Sequence, residues 1–400
     1  MTAEALNDSL RLLVVNYEYP PLGGGSSPVT LNLAKTLAAR GHEVDVVTTG
    51  FRHLPREENA FGVRVVRVRA LRSRMELCYV HEMLSFVVAG SARVLRLCRQ
   101  KDYDLCHVHF FVPTGLVAFL LHRQRGFPPY VVTCHGSDVP GYNPDRFRHI
   151  HRVTPPLLAG IGNAAEAVIA PSSAMEELIT RGIPGFKGPL RRIPYGIDAH
   201  DLTPAEKEPK ILVAARLFER KGVREVIEAL RELRPNGYSL EIAGDGPERG
   251  RLEALTRESG VPARFHGWLD REQMDELFAR CRIFVLATRI DNFPSSLLEA
   301  MAAGCAIITT RAGGCPEVIG DTGLLVDHGD SNQLRESLRA LTSDPGLCHD
   351  LGARARARAL GRFDWSTIAA AHEAVFREAI GRRQRSNGGT HTSSEKLGRR

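Results

Sequence analysis

Short apolar runs and longer amphipathic stretches alternate along the chain from about residue 10 to residue 380. Leu10 to Val15 (LRLLVV) reads as a buried strand, and Gly23-Gly24-Gly25-Ser26-Ser27 leads from it into a helix that runs to about Arg40. Val44–Thr48 is a second strand. Val63–Val68 alternates apolar residues with arginines, as an edge strand would. His81–Gln100 is read as an amphipathic helix with Leu84, Val87, Val88, Leu95 and Leu97 on its apolar side. Strands follow at Asp104–His109, Tyr130–Thr133 and Val168–Ala170, and Asp145–Asn163 reads as an irregular helix interrupted by Pro155-Pro156. The polar, proline-bearing stretch His200–Pro209 is the expected linker. Beyond it the alternation resumes, with strands at Lys210–Ala215, Leu240–Ala243, Ile283–Leu286, Ala306–Thr310 and Leu324–Val326. Helices close the pattern at Ser331–Leu341, Gly346–Gly361 and Thr367–Ile380. This order predicts an α/β fold of two doubly wound, Rossmann-like parallel-sheet domains, residues 1–200 and 209–363, facing across a cleft. The tail 382–400 is almost free of apolar residues and is expected to be disordered.

Chemistry concentrates at the ends of these strands. After Ile283–Leu286 a polar loop, Thr288 to Asn292, precedes a helix that opens at Pro294-Ser295-Ser296. Gly304 ends that helix, and the strand behind it runs into the turn Ala312-Gly313-Gly314. The N-terminal end of such a helix suits an anion. Asp291 stands just before the helix and Glu299 within its second turn. Acceptors beside a phosphate-binding helix start suit a sugar nucleotide, whose hydroxyls want acceptors and whose diphosphate wants amides. Arg216 and Lys221 flank the helix start after Lys210–Ala215, where they can grip a diphosphate as it gains charge. His135-Gly136-Ser137-Asp138 stands at the end of Tyr130–Thr133, where ligands of open parallel sheets bind. The loop Gly23-Gly24-Gly25 lacks both the dinucleotide glycine spacing and the phosphate-loop lysine, so it favours neither NAD nor ATP. His107 and His109 are taken to point to opposite faces of their strand, which would rule them out as joint ligands of a metal.

Taken in order, these motifs resemble the retaining glycosyltransferases of family 4, and the resemblance spans about residues 10–380. DNFPSSLLEAMAAG is similar to the family's signature of two acids separated by seven residues. Asp291 stands where glutamate is commoner, Asn292 where glycine is common, and Tyr195 where asparagine is usual in the similar segment LRRIPYGID. The resemblance implies the GT-B fold, with a final helix (about 364–381) crossing back onto the first domain. It implies transfer of a sugar from a nucleoside diphosphate sugar, a UDP-sugar or GDP-mannose, to an acceptor hydroxyl. In that scheme Arg216 and Lys221 stabilise the departing diphosphate, aided by amides at Ser295, Ser296 and Leu297. Glu299 accepts from the ribose, Asp291 accepts from the sugar, and His135 holds the sugar near its 6-hydroxyl. The loop Gly23–Gly25 faces the donor diphosphate and the acceptor, with Gly24 and Gly25 on the donor and Gly23 on the acceptor side, where Asp138 matches the family's acid. Gly244, Trp268 and Leu269 lie in loops that seat the nucleotide base. No cofactor and no metal is expected, because basic side chains and a helix start supply the positive charge. A sugar-nucleotide epimerase of the same fold and a non-catalytic sugar-nucleotide-binding protein are the alternative readings.

Composition adds limits. The 400 residues are 43% hydrophobic and 25% charged, as in a soluble globular chain of two domains, and no apolar run is long enough to span a bilayer. The start has no basic segment followed by an apolar core, so no secretory signal is expected. Eight scattered cysteines without a Cys-x-x-Cys pair point to reduced thiols and a cytoplasmic protein. The net charge of +7 is uneven: residues 51–101 carry ten Arg and one Lys against four Glu. A basic region so confined argues against nucleic acid as a partner. It allows peripheral attachment to an anionic membrane surface, on the inner face of the cytoplasmic membrane. There the acceptor, a saccharide or a lipid-linked molecule, would serve cell-surface polysaccharide or glycolipid assembly.

Overall fold

The computed structural model describes residues 9–75, 77–142, 152–198, 202 and 205–391. The chain divides into two units, one ending at Pro194 and resuming at Trp365, the other spanning Tyr195–Asp364. The sequence put the linker at 200–209. The division falls at Pro194 because the backbone of Ile197 is already tied into the second unit: its N–H donates to the Phe363 carbonyl at 2.7 Å. Glu208 then begins a strand.

The first unit is built on eight strands: β1 (Arg11–Val15), β2 (Glu43–Thr49), β3 (Glu57–Ala60), β4 (Val63–Val68), β5 (Leu105–His109), β6 (Tyr130–Thr133), β7 (Ala167–Ala170) and β8 (Leu190–Arg192). Their order is β3-β4-β2-β1-β5-β6-β7-β8, parallel except for β3 against β4. The chain winds outward from β1 in one direction and then, from β5, in the other. That makes β1/β5 the point where the strand order reverses. The inner strands are buried on both faces and mostly apolar, as burial under helices on both sides favours. His107 and His109 of β5 and Asp45, Thr48 and Thr49 of β2 are among the buried polar exceptions.

Several expectations change here. Val63–Val68 is not an edge strand, because β3 covers it; Arg64 and Arg67 face carboxylates, Glu57 at 2.9 Å and Glu58 at 2.6 Å. In the helix Val80–Gln100 the buried stripe is Glu82, Phe86, Gly90, Val94 and Leu97, with Val87 and Cys98 beside it. Leu84 and Val88 lie two positions off that stripe, about 200° round a helix, and are 56% and 74% exposed. The expected interruption at Pro155-Pro156 is present: Arg152 and Val153 are helical, and the helix breaks at Thr154. The two prolines open the next helix, Pro155–Ala164, since the missing N–H of a proline is harmless in a first turn. Residues 145–151 of the expected Asp145–Asn163 helix lie outside the described residues.

The final helix, Trp365–His391, belongs to the first unit. Glu373 on it accepts from Arg40 at 2.5 Å and contacts His42 at 2.9 Å, and Glu378 pairs with Arg191 at 2.9 Å. The expected disordered tail is helical as far as His391, because Arg382 donates to the Glu166 carbonyl at 3.1 Å and pairs with Glu378. Residues 392–400 lie outside the described residues.

The second unit has six parallel strands: β9 (Glu208–Ala214), β10 (Ser239–Ala243), β11 (Ala263–Gly267), β12 (Cys281–Leu286), β13 (Ala306–Thr310) and β14 (Leu324–Val326). They are ordered β11-β10-β9-β12-β13-β14, which places the reversal at β9/β12. All eight cysteines are free and buried. Among the described residues no helix is long and apolar enough to cross a membrane.

Candidate active site

In the second unit the loops leaving β9 and β12 are locked together by glycine. Gly222 is left-handed (φ 71°), and a Cβ on it would lie 2.0 Å from the Ala287 carbonyl oxygen. Only glycine allows this approach, which brings the turn Glu219–Lys221 against the end of β12. The Arg289 N–H donates to the Arg220 carbonyl at 2.7 Å, closing the contact. As a result Lys221 Nζ lies 2.5 Å from Asp291 Oδ2, with side chains only 16% and 13% exposed. The backbone of Asp291 is fixed from the other side: its carbonyl accepts from Gly314 N–H at 2.9 Å, and a Cβ on Gly313 would strike that same oxygen. Arg216 lies over the Phe218 ring at 5.4 Å.

Pro294 caps the helix Ser295–Ala302, so Ser295, Ser296 and Leu297 supply its opening amides directly after Asp291. Glu299 points toward the helix Arg271–Arg280 and pairs with Arg271 at 2.7 Å, while Arg271 also holds Asp275 at 2.9 Å. Burial lifts the Glu299 carboxyl above its ordinary value, and the Arg271 charge opposes that shift. The sequence did not single out Arg271, which lies in another element 28 residues away. Gly244 donates to the Gly267 carbonyl at 2.8 Å, and Trp268, just beyond, is 65% exposed. Leu269 is half-buried before Asp270, which caps the next helix.

In the first unit the glycine loop is partly occupied by the protein itself. The Glu18 carboxylate accepts from Gly24 N–H at 3.2 Å and from Ser26 Oγ at 3.1 Å. Gly23 is left-handed (φ 98°) and packs on Glu18, whereas a side chain on Gly24 or Gly25 would meet open space.

His135 follows β6, and its Nε2 lies 2.9 Å from His109 Nδ1. Burial pushes its imidazole down to about 3. His107 and His109 share one face of β5, with ring centroids 4.4 Å apart. This corrects the expectation of opposite faces, because residues two apart on a strand point the same way. Burial also keeps both well below the ordinary histidine range, and pushes the neighbouring His372 down to about 4. No group of three or more His, Cys, Asp or Glu placed to hold a metal ion occurs among the described residues.

Asp138 is buried, and its carboxylate accepts from Phe111 N–H at 2.6 Å and Gly136 N–H at 3.2 Å. Burial raises it to about 6 against the pull of those bonds. Beside it an apolar pocket is lined by Tyr17, Met83, Leu84, Val112 and Leu158.

Residues 23–201 match Glycosyltransferase Family 4, and residues 197–358 match Glycosyl transferases group 1. The chain belongs to glycosyltransferase family 4. A glycogen synthase of Mycobacterium tuberculosis (strain ATCC 25618 / H37Rv) is 28% identical to it over 92% of this chain and 94% of its own. The N-acetyl-alpha-D-glucosaminyl L-malate synthase of Bacillus anthracis is 27% identical over 90% and 96%. The solved structure of sucrose-phosphate synthase from Thermosynechococcus elongatus superimposes with a TM-score of 0.79 at 24% identity, covering 93% of this chain and 99% of that one. Starch synthase IV from Arabidopsis thaliana, bound to ADP and acarbose, gives 0.74 at 16% identity, covering 93% and 100%. The fold of this family 4 member is GT-B.

Proposed function

We propose that this family 4 enzyme transfers a sugar from a nucleoside diphosphate sugar to an acceptor hydroxyl with retention of configuration and without a metal. The observation that carries the reading is the meeting of Lys221, Asp291 and the helix start Ser295–Leu297 where the order of the second sheet reverses. A diphosphate seated there meets amide donors and the Lys221 ammonium, while the sugar hydroxyls replace Lys221 as partners of Asp291. Arg216 adds a second positive charge. As the bond from the anomeric carbon to the β-phosphate oxygen breaks, its electron pair stays on that oxygen. The acceptor oxygen attacks from the same face and passes its proton to the departing phosphate. Glu299 takes the ribose hydroxyls, and His135 the sugar near its 6-hydroxyl.

For the acceptor, the exposed apolar side chains Leu71, Leu84 and Val88 share the segment 51–101 with its arginines. Arg64, Arg67 and Arg93 are already paired with Glu57 and Glu58. The charge available to a surface is therefore smaller than the count of arginines implies. This combination supports a lipid-linked acceptor reached at an anionic bilayer. Purified protein is to be tested against UDP-, GDP- and ADP-sugars by thermal shift and slow donor hydrolysis. One donor that both stabilises the protein and is hydrolysed is expected, and no response to any donor would refute the reading. Vesicles with and without anionic lipid test the acceptor side: equal partitioning removes the membrane from the scheme.

A further inference from the structure

What His135 can offer a ligand depends on which ring nitrogen carries its proton, and a buried chain of side chains decides this. Asn16 accepts from Glu18 N–H through Oδ1 at 3.0 Å, so its Nδ2 is the atom that donates to Thr30 Oγ1 at 2.7 Å. The Thr30 hydroxyl has one proton, and its contact at 3.0 Å with the Ser26 carbonyl can only be served by giving that proton. Thr30 therefore meets His109 Nδ1, 3.3 Å away, as an acceptor.

A second observation agrees. His109 Nε2 is buried with no partner. A proton there would be an orphaned buried donor, whereas a bare nitrogen forgoes only an acceptance. Both arguments put the His109 proton on Nδ1, and His135 Nε2 is the nitrogen 2.9 Å from it. His135 must then accept at Nε2, and a neutral imidazole that accepts at one nitrogen carries its proton on the other.

We propose that Asn16 and Thr30, acting through His109, hold His135 in the Nδ1–H tautomer, so that it meets a bound sugar as a neutral hydrogen-bond donor and not as a base. The placing of the sugar rests on the reading of His135 given above; the tautomer does not. Asn16, Thr30 and His109 are positioning residues. All three are fully buried, on β1's end, the helix Ser26–Ala39 and β5.

The test is imidazole 1H–15N spectroscopy of the full chain labelled at histidine, with His109→Asn and His135→Gln used to assign the signals. Both residues are expected to show a protonated Nδ1 and a bare Nε2. In Thr30→Val the His135 signal should become a mixture of tautomers, and donor turnover should fall by about tenfold, the scale of one hydrogen bond. Thr30→Ser should restore both. A wild-type His135 protonated at Nε2 overturns the proposal, as does a Thr30→Val protein whose tautomers are unchanged. An Nδ1–H His135 in a protein that turns over no nucleotide sugar supports the tautomer assignment while refuting the transferase reading.

Discussion

At the ligand end of the first sheet His109 and His135 share a neutral hydrogen bond inside the protein, whereas at the same end of the second sheet Lys221 and Asp291 form an ion pair. His109 ends β5 and His135 follows β6, while Lys221 and Asp291 follow β9 and β12. Both sets thus stand at the C-terminal ends of strands close to an order reversal, and topology alone does not distinguish them. What differs is the environment. Burial strips the histidines of charge. In the second unit, close glycine contacts bring opposite charges together with some access to solvent left. The first arrangement suits uncharged hydroxyls, and the second suits an anion whose charge grows during reaction.

The largest effect that would expose this contrast is acid lability confined to the first unit. The folded-state values of His135 (about 3) and His372 (about 4) lie below the unfolded value of 6.5. Stability is therefore fully present above 6.5 and is lost as pH falls, because the unfolded chain takes up the protons. By pH 4.5 each such group removes roughly 2–3 kcal/mol. His107 and His109 act in the same direction. Asp138 acts oppositely: raised from 3.8 to about 6, it favours the fold as pH falls through 6. It offsets most of one histidine, leaving a net loss of about 3 kcal/mol from His135, His372 and Asp138 together, to which His107 and His109 add in the same direction. The two tryptophans separate the units, since Trp365 is buried in the first and Trp268 stands exposed in the second. Thermal unfolding of Trp268→Phe, followed by Trp365 fluorescence, should shift steeply downward between pH 6.5 and 4.5. A flat profile would mean that the histidines are not neutral in the fold.

The strand ends, the helix start at Ser295 and the Arg216…Lys221 spacing were legible because each is a local pattern: an apolar run, then glycine, proline or charge. The partners of those residues were not. Arg271 reaches Glu299 from another helix, and Thr30 reaches His109 on β5 from the helix Ser26–Ala39, 79 residues earlier, so no spacing along the chain announces either pair. The exposed face of the helix Val80–Gln100 was misread for a different reason. Leu84 and Val88 are as apolar as their buried neighbours, and hydrophobicity alone favours burial even where the helical period does not. The arginines of β4 misled in the opposite sense: a strand of carboxylates, β3, covers them.

Next in size is Lys221→Ala, which removes the charge at the centre of the second unit's arrangement. Turnover should fall by roughly two to three orders of magnitude, as on losing one preorganised donor to a developing charge. The fold should persist, because Gly314 still holds the Asp291 carbonyl and Gly222 still packs on Ala287. Steady-state kinetics with the donor identified by the hydrolysis panel decides the matter. Unchanged turnover would leave the ion pair as a structural tie and erase the functional side of the contrast.

The smallest effect expected is that of Glu299→Ala, and it asks whether every acid of the second unit serves the donor. Glu299 is held by Arg271, which keeps Asp275 as a partner when Glu299 is lost, so stability should change little. If the carboxylate accepts from the ribose hydroxyls, the affinity for the nucleoside diphosphate should weaken by about tenfold, the worth of one hydrogen bond to a charged group. Turnover at saturating donor should stay near that of the wild type, because the ribose is remote from the breaking bond and its contact is equal in ground and transition states. Calorimetric titration with UDP, GDP or ADP, whichever matches the donor, measures the first, and kcat measures the second. A fall in kcat with affinity unaltered would move Glu299 from the ribose to the reacting sugar. No change in either would assign it to Arg271 alone, as a clamp between the helices Ser295–Ala302 and Arg271–Arg280.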